Sequence, residues 1–240
     1  MEERKYNIFI LGAGLGTRLR PLTADMPKPL IKLLGKEVIN YNFEIFYNSG
    51  YREFIVNTSY KKEKYKGFKP FRNIKLIYSE ENVPLGTGGG IKNAEKYLKK
   101  DDTIVMNGDI IYDFNVKRLT DYYEKNDFSA VMVLKPFDGG NVTHNGEIIT
   151  SLRENRSKYY KSSDKTYRFT GLHVFSREFL NQINEFCIID TYIKLLNGGK
   201  IGALIDESNS YWSDIGTLEN FYETENYLNK NLKKMKYLNL

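Results

Sequence analysis

Arg18, Lys28, Asp109 and Asp214 are the side chains of this 240-residue sequence whose types and settings best suit chemistry on a phosphate. The two cations sit in "FILGAGLGTRLRPLTADMPKPL", Phe9 to Leu30, with Gly12, Gly14 and Gly16 just ahead of them. Gly14 and Gly16 can present bare backbone N–H groups to an anion, and Arg18 and Lys28 add positive charge. The stretch is neither of two familiar phosphate loops. G-x-G-x-x-G fits Gly12 and Gly14 but ends on Thr17, and no lysine follows Gly16 as the P-loop requires. Both loops also expect a helix directly after the glycines, whereas Pro21, Pro27 and Pro29 each remove a backbone donor and fix φ. The segment is expected to remain a long loop, and such loops are functional or disordered.

Asp109 lies in "VMNGDI", where a buried strand runs into a glycine turn. A carboxylate there suits a hard cation, since Mg²⁺ takes one or two carboxylates plus phosphate oxygens. An aspartate that merely caps the next turn fits equally well. Asp214 in "YWSDIGT" presents the same choice, with Thr217 placed to cap a helix. Spacing leaves open whether the two meet. "PLGTGGGI", Pro84 to Ile91, can pack flat against a planar ring or sugar, or be no more than a weak helix start. His144, His173 and the single Cys187 lack metal-ligand spacing. His173, between Leu172 and Val174, reads as a sheet position.

The elements that must position these residues alternate. Strand patterns at Ile8–Leu11, Glu53–Thr58, Ile74–Tyr78, Thr103–Asn107 and Ser129–Leu134 are separated by helical ones around Ile39–Tyr47, Gly89–Leu98 and Val116–Lys125. This predicts a Rossmann-like α/β fold of three layers, α/β/α, with a mainly parallel central sheet. Ligands then bind beyond the carboxyl ends of the strands. From Phe137 to Ser163 the pattern gives way to a turn and a basic, tyrosine-bearing loop, and Arg168–Phe175 restores a strand. From about Thr217 the chain reads as a helix with a basic end past residue 230, its apolar edge Leu228, Leu232 and Met235.

With 41% hydrophobic residues, residues 1–240 can form one domain. No apolar run approaches a membrane span, "MEERKYN" lacks the apolar core of a signal peptide, and one cysteine forms no internal disulfide. A cytoplasmic protein is expected. The net charge of +6 suits polyanionic ligands, but the cations form no stripe of the kind that tracks nucleic acid.

"LGAGLGTRLRPLTADMPKPL", "PLGTGG", "NGD", "TGLHVF" and "WSDIGT", in this order, resemble the sugar-1-phosphate nucleotidyltransferases nearly end to end. The resemblance implies transfer of a nucleotidyl group from a nucleoside triphosphate to a sugar 1-phosphate, with release of pyrophosphate. It implies that Leu11, Gly12, Ala13 and Gly14 lie against the nucleotide, that Gly16, Thr17 and Arg18 embrace its triphosphate, and that Lys28 bridges the phosphates. Glu81, Gly86 and Thr87 fall near the base, where Glu81 would accept hydrogen bonds from guanine. Asp109 and Asp214 match the Mg²⁺ pair, and Gly108 and Gly171 lie on the acceptor side. The C-terminal β-helix of longer relatives is expected to be absent. The look is closest to N-acetylmuramate-1-phosphate uridylyltransferases and heptose- or mannose-1-phosphate guanylyltransferases. The resemblance leaves the base, the acceptor and any homo-oligomer open.

One departure concerns the acceptor. Many relatives carry Glu-Lys-Pro before the sugar strand, whereas this chain has "RENR", with Asn155 in place of the lysine. Arg153, Arg156 or Lys158, beside Glu154, is expected to replace it. The same departure motivates a second enzyme reading, a cytidylyltransferase for a non-sugar phosphomonoester such as phosphocholine, with an aromatic cage drawing on Tyr159, Tyr160 or Tyr167. A nucleotide-sensing subunit without catalysis is the alternative of another class.

Overall fold

The computed structural model describes residues 5–238. The first strand, Tyr6–Leu11, is the hinge of the architecture: it pairs in parallel with Glu53–Thr58 on one side and Asp102–Asn107 on the other. Its residues alternate between two cores. Ile8 and Ile10 face a cluster with the helices Val38–Asn48, Val116–Glu124 and Leu218–Asn231, while Phe9 faces a second cluster with Gly86–Asn93 and Ile188–Leu195. A period-two apolar run covered on both faces is what a buried parallel strand demands.

Strands Lys75–Glu80, Glu53–Thr58, Tyr6–Leu11, Asp102–Asn107, Ala130–Pro136 and Ile201–Ile205 share one direction, and Lys165–Phe175 is inserted antiparallel between the fourth and fifth. The three-layer, mainly parallel expectation therefore holds. The Phe137–Ser163 expectation needs correction. The segment forms a small antiparallel excursion of Val142–His144, Ile149–Leu152 and Asn155–Arg156 against Lys165–Tyr167. Strands this short, with a register shift between Ile149 and Ser151, leave too few alternations to be seen in sequence.

The opening loop stays a loop, tightened by 3₁₀ turns at Thr17–Leu19 and Lys28–Leu30. The last helix ends at Asn231, and the chain then returns to the core: Met235 and Leu238 are buried, and the Lys236 and Tyr237 amides donate to Asp113. Among the described residues no helix is long and apolar enough to cross a membrane.

His173 is buried in the sheet with its Nδ1 2.7 Å from the Tyr192 hydroxyl, and burial pushes its pKa down to about 3. The unfolded chain takes up this proton near pH 6.5 and the folded chain does not, so stability falls as the pH drops from 6.5 towards 3. Between pH 7 and pH 5 this one group removes about 2 kcal/mol. Urea denaturation of His173→Gln at the two pH values is expected to show a correspondingly smaller acid loss than the unsubstituted protein.

Candidate active site

Asp109 and Asp214 meet because two short strands pair. Ile110–Tyr112 lies antiparallel to Trp212–Asp214 with Ile110 opposite Asp214, and the Ile215 amide donates to the Asp109 carbonyl at 3.1 Å. Gly108 permits this. Its amide donates to the Leu11 carbonyl, and a Cβ there would stand 2.6 Å from that oxygen, so only glycine lets the turn close on the first strand. The opening loop delivers the cations. Lys28, buried on the Lys28–Leu30 turn, forms an ion pair with Asp109 Oδ2. The Arg18 guanidinium lies beside Gly216 and Asp214. Burial first, then the charge of Asp109, raises the Asp214 carboxyl above its ordinary pKa, against the pull of Lys28, the Gly216 amide and Arg18.

A cavity of about 320 Å³ opens beside Asp109, lined by Leu11, Gly12, Ala13, Gly14, Lys28, Glu81, Gly86 and Thr87 from the residues expected at the nucleotide, and by Gly108, expected on the acceptor side. A second, of about 870 Å³, holds Gly171, Arg153 and Asp214. Asn107 lines both, so the acidic pair stands where they adjoin. Gly171, at φ 82°, would drive a Cβ within 2.9 Å of the Asn107 amide nitrogen.

Several of the expected residues also carry structural duties. A Cβ on Gly14 meets nothing within 4 Å, whereas one on Gly16, at φ 63°, would meet Thr23 and Lys28. Gly16 serves the turn, and Gly14 is the glycine whose missing side chain faces open space. Thr17 follows on that turn, exposed. Three of the "GTGGG" glycines are required by close contacts within the protein. Cβ atoms on Gly86, Gly88 and Gly90 would stand 2.3 Å from the Phe186 carbonyl, 2.2 Å from the Glu185 carbonyl and 2.5 Å from the Asn57 amide nitrogen. They let the helix pack against protein. Glu81 is buried, its two oxygens accepting from the Asn57 amide at 2.7 Å and the Leu85 N–H at 2.9 Å, while Asn57 Oδ1 accepts from the Gly12 N–H at 2.7 Å. It braces the loop. Asn57 was not foreseen, although a polar side chain at the carboxyl end of an apolar strand is the signal to look for.

The basic loop contributes one cation to the second cavity. Of its cations only Arg153 lines the second cavity, and its guanidinium donates to Asp190 at 3.3 Å and lies 3.3 Å from Cys187 Sγ. Arg156 covers the Tyr160 ring, Lys158 covers Tyr159, and Glu154 is an exposed turn residue at φ 66°. The Asn155 amide donates to the carbonyls of Leu152 and Arg153 and holds that turn. The three tyrosines considered for a quaternary-ammonium cage are engaged within the protein: Tyr160 and Tyr159 carry Arg156 and Lys158 on their rings, and Tyr167 is buried against His144.

The nucleotidyl transferase family model matches residues 8–231. A mannose-1-phosphate guanyltransferase of Yarrowia lipolytica is 29% identical over 230 residues, covering 89% of this chain and 61% of its own length. This chain thus spans about three-fifths of that relative. A D-glycero-alpha-D-manno-heptose 1-phosphate guanylyltransferase of Campylobacter jejuni is 30% identical over 220 residues, covering 89% of this chain and 96% of its own. The solved structure of HddC from Yersinia pseudotuberculosis superposes with a TM-score of 0.73 at 25% identity, covering 93% of this chain and 99% of that one.

The two kinds of glycine are separable by thermal unfolding. Gly88→Ala, which forces a side chain onto the Glu185 carbonyl, is expected to cost about 1–3 kcal/mol, the scale of overpacking. Gly14→Ala is expected to stay within about 0.5 kcal/mol of the unsubstituted protein.

Proposed function

The chain belongs to the nucleotidyl transferase family, and from that premise we propose that it transfers a guanylyl group from GTP to a sugar 1-phosphate, releasing pyrophosphate. The observation that carries the proposal is the meeting of Asp109, Asp214, Lys28 and Arg18 where two cavities adjoin, one for each reactant. The nucleotide is assigned to the cavity over Gly12 and Gly14, the sugar to the one over Gly171. Support for guanine and for a manno-configured acceptor comes from the names of the two relatives.

The reaction asks little of acid–base chemistry. An oxygen of the acceptor phosphate, already anionic, attacks the α-phosphorus, and the bond from that phosphorus to the bridging oxygen of pyrophosphate breaks. The protein must hold two anions in line and offset the charge that spreads during transfer. Lys28 and Arg18 do this from the opening loop. Asp109 and Asp214 fit a Mg²⁺ ion: Lys28 takes one Asp109 oxygen and the Gly216 amide donates to Asp214 Oδ1 at 2.8 Å, leaving each carboxylate a second oxygen for a hard cation. When bound, the ion would supply positive charge to the phosphate oxygens.

A pyrophosphate-release assay tests the reading, crossing ATP, CTP, GTP and UTP with mannose 1-phosphate, the manno-heptose 1-phosphate, glucose 1-phosphate and phosphocholine. Release is expected with GTP and a manno-configured acceptor, and only with Mg²⁺ present. Release with a different nucleotide overturns the base assignment. GTP binding without release from any pair turns the reading to a nucleotide-sensing subunit. Gly14→Val is expected to keep the fold and to weaken GTP binding by at least about tenfold in calorimetry, because its side chain projects into the space assigned to the nucleotide.

A further inference from the structure

An acceptor phosphate pushed towards a triphosphate is repelled, so a cation has to hold it. The second cavity offers two. Arg153 is one, and Asp190 already shares its charge. The other is Arg168, on the long strand Lys165–Phe175. Among the described residues no carboxylate pairs with Arg168; the nearby Lys135, opposite it in register, is consumed by Asp206 and Ser210.

The Arg168 side chain is nevertheless fixed. Its guanidinium carbon lies 3.4 Å from the centre of the Phe137 ring and 5.7 Å from that of Trp212. The backbone of Phe137 and the ring of Trp212 are themselves anchored. The Gly140 amide donates to the Phe137 carbonyl at 3.0 Å, and Gly140 closes so tightly on the strand that a Cβ would stand 2.1 Å from the Tyr167 carbonyl. The Trp212 indole N–H donates to the Thr170 carbonyl at 2.9 Å. Stacking on a ring uses the face of a guanidinium and leaves its edge N–H groups free, in the fork that matches a phosphate. It also explains why Phe137, a large apolar side chain, stays 42% exposed.

Resting on the reading of this chain as a sugar-1-phosphate nucleotidyltransferase, we propose that Arg168, clamped between Phe137 and Trp212, grips the phosphate of the acceptor in place of the lysine that Asn155 lacks. Arg168 belongs to the acceptor alone. Its position on the strand that carries Gly171, away from the nucleotide cavity, sets it apart from Lys28 and Arg18.

Trp212, the sole tryptophan of the sequence, lines the same cavity and gives a readout that needs no turnover. Its fluorescence is followed while mannose 1-phosphate, and separately inorganic phosphate, is titrated into the full chain, with calorimetry on the same samples. The unsubstituted protein is expected to bind both, and Arg168→Gln to weaken both by at least about tenfold, the worth of one charge-assisted contact. Arg168→Lys is expected to fall between, and Lys158→Gln, at a side chain that lies over the Tyr159 ring and lines neither cavity, to stay within about threefold. In the release assay Arg168→Gln should raise the acceptor KM and leave GTP affinity unchanged. Binding by Arg168→Gln within twofold of the unsubstituted protein overturns the assignment. So does failure of the unsubstituted protein to bind either phosphate. The nucleotidyltransferase reading fails separately, by the absence of pyrophosphate release from every nucleotide and acceptor. Unchanged thermal melting of the variant, with the Phe137→Ala variant weakening the same titrations, keeps a folding defect apart from a lost contact.

Discussion

Two carboxylates and a buried lysine occupy one corner of this molecule, and the surrounding architecture satisfies their mutual demands. A lysine as deeply buried as Lys28 costs several kcal/mol unless it is paired, and Asp109 pairs it. Asp214, brought alongside, feels the negative charge of Asp109 and has its own carboxyl raised by burial and by that charge. Arg18 and the Gly216 amide relieve part of the repulsion. What remains is a corner of closely set carboxylates and cations, the electrostatic setting that the proposed phosphoryl chemistry would use.

Placing these groups takes contacts from distant parts of the chain. The first strand sets the floor, the loop after it swings Lys28 back over the sheet, and the Asn107–Asp109 turn is drawn against Leu11 through Gly108. The partner strand Trp212–Asp214 comes from near the other end of the chain. Asn57 and Glu81 tie the Gly12 amide to the helix that starts at Gly86, so the wall of the first cavity is held by hydrogen bonds to neighbouring strands. Glycines serve this plan mostly by letting backbone approach backbone.

Much of this was legible in the sequence, for physical reasons that differ by element. The parallel strands announced themselves because both faces are buried, so Ile8–Leu11 and Thr103–Asn107 read as apolar runs. The opening loop was legible from its prolines, and the "NGD" and "WSDIGT" carboxylates from their places at strand ends. Their proximity was not. It depends on a pairing between Ile110–Tyr112 and Trp212–Asp214 that no local pattern encodes. The "GTGGG" helix shows the same limit: glycine signals close approach, but only the fold reveals that Glu185 and Phe186 are what approaches. Glu81 and the "RENR" turn carry hydrogen bonds that residue type alone does not announce: Glu81 accepts from Asn57, a strand away, and from the nearby Leu85 N–H, while the Asn155 amide donates to the carbonyls of Leu152 and Arg153 within its own turn.

The central claim is that Asp109 and Asp214 act as one site. Its most direct test is a double-mutant cycle on kcat/KM for pyrophosphate release, using Asp109→Asn, Asp214→Asn and the pair, with thermal unfolding to verify the fold. Groups that act as a unit are strongly non-additive. The account predicts that each single change removes most of the activity and that the double variant is less than about threefold worse than the weaker single. Losses that multiply would mean that the two carboxylates work independently, and would contradict it.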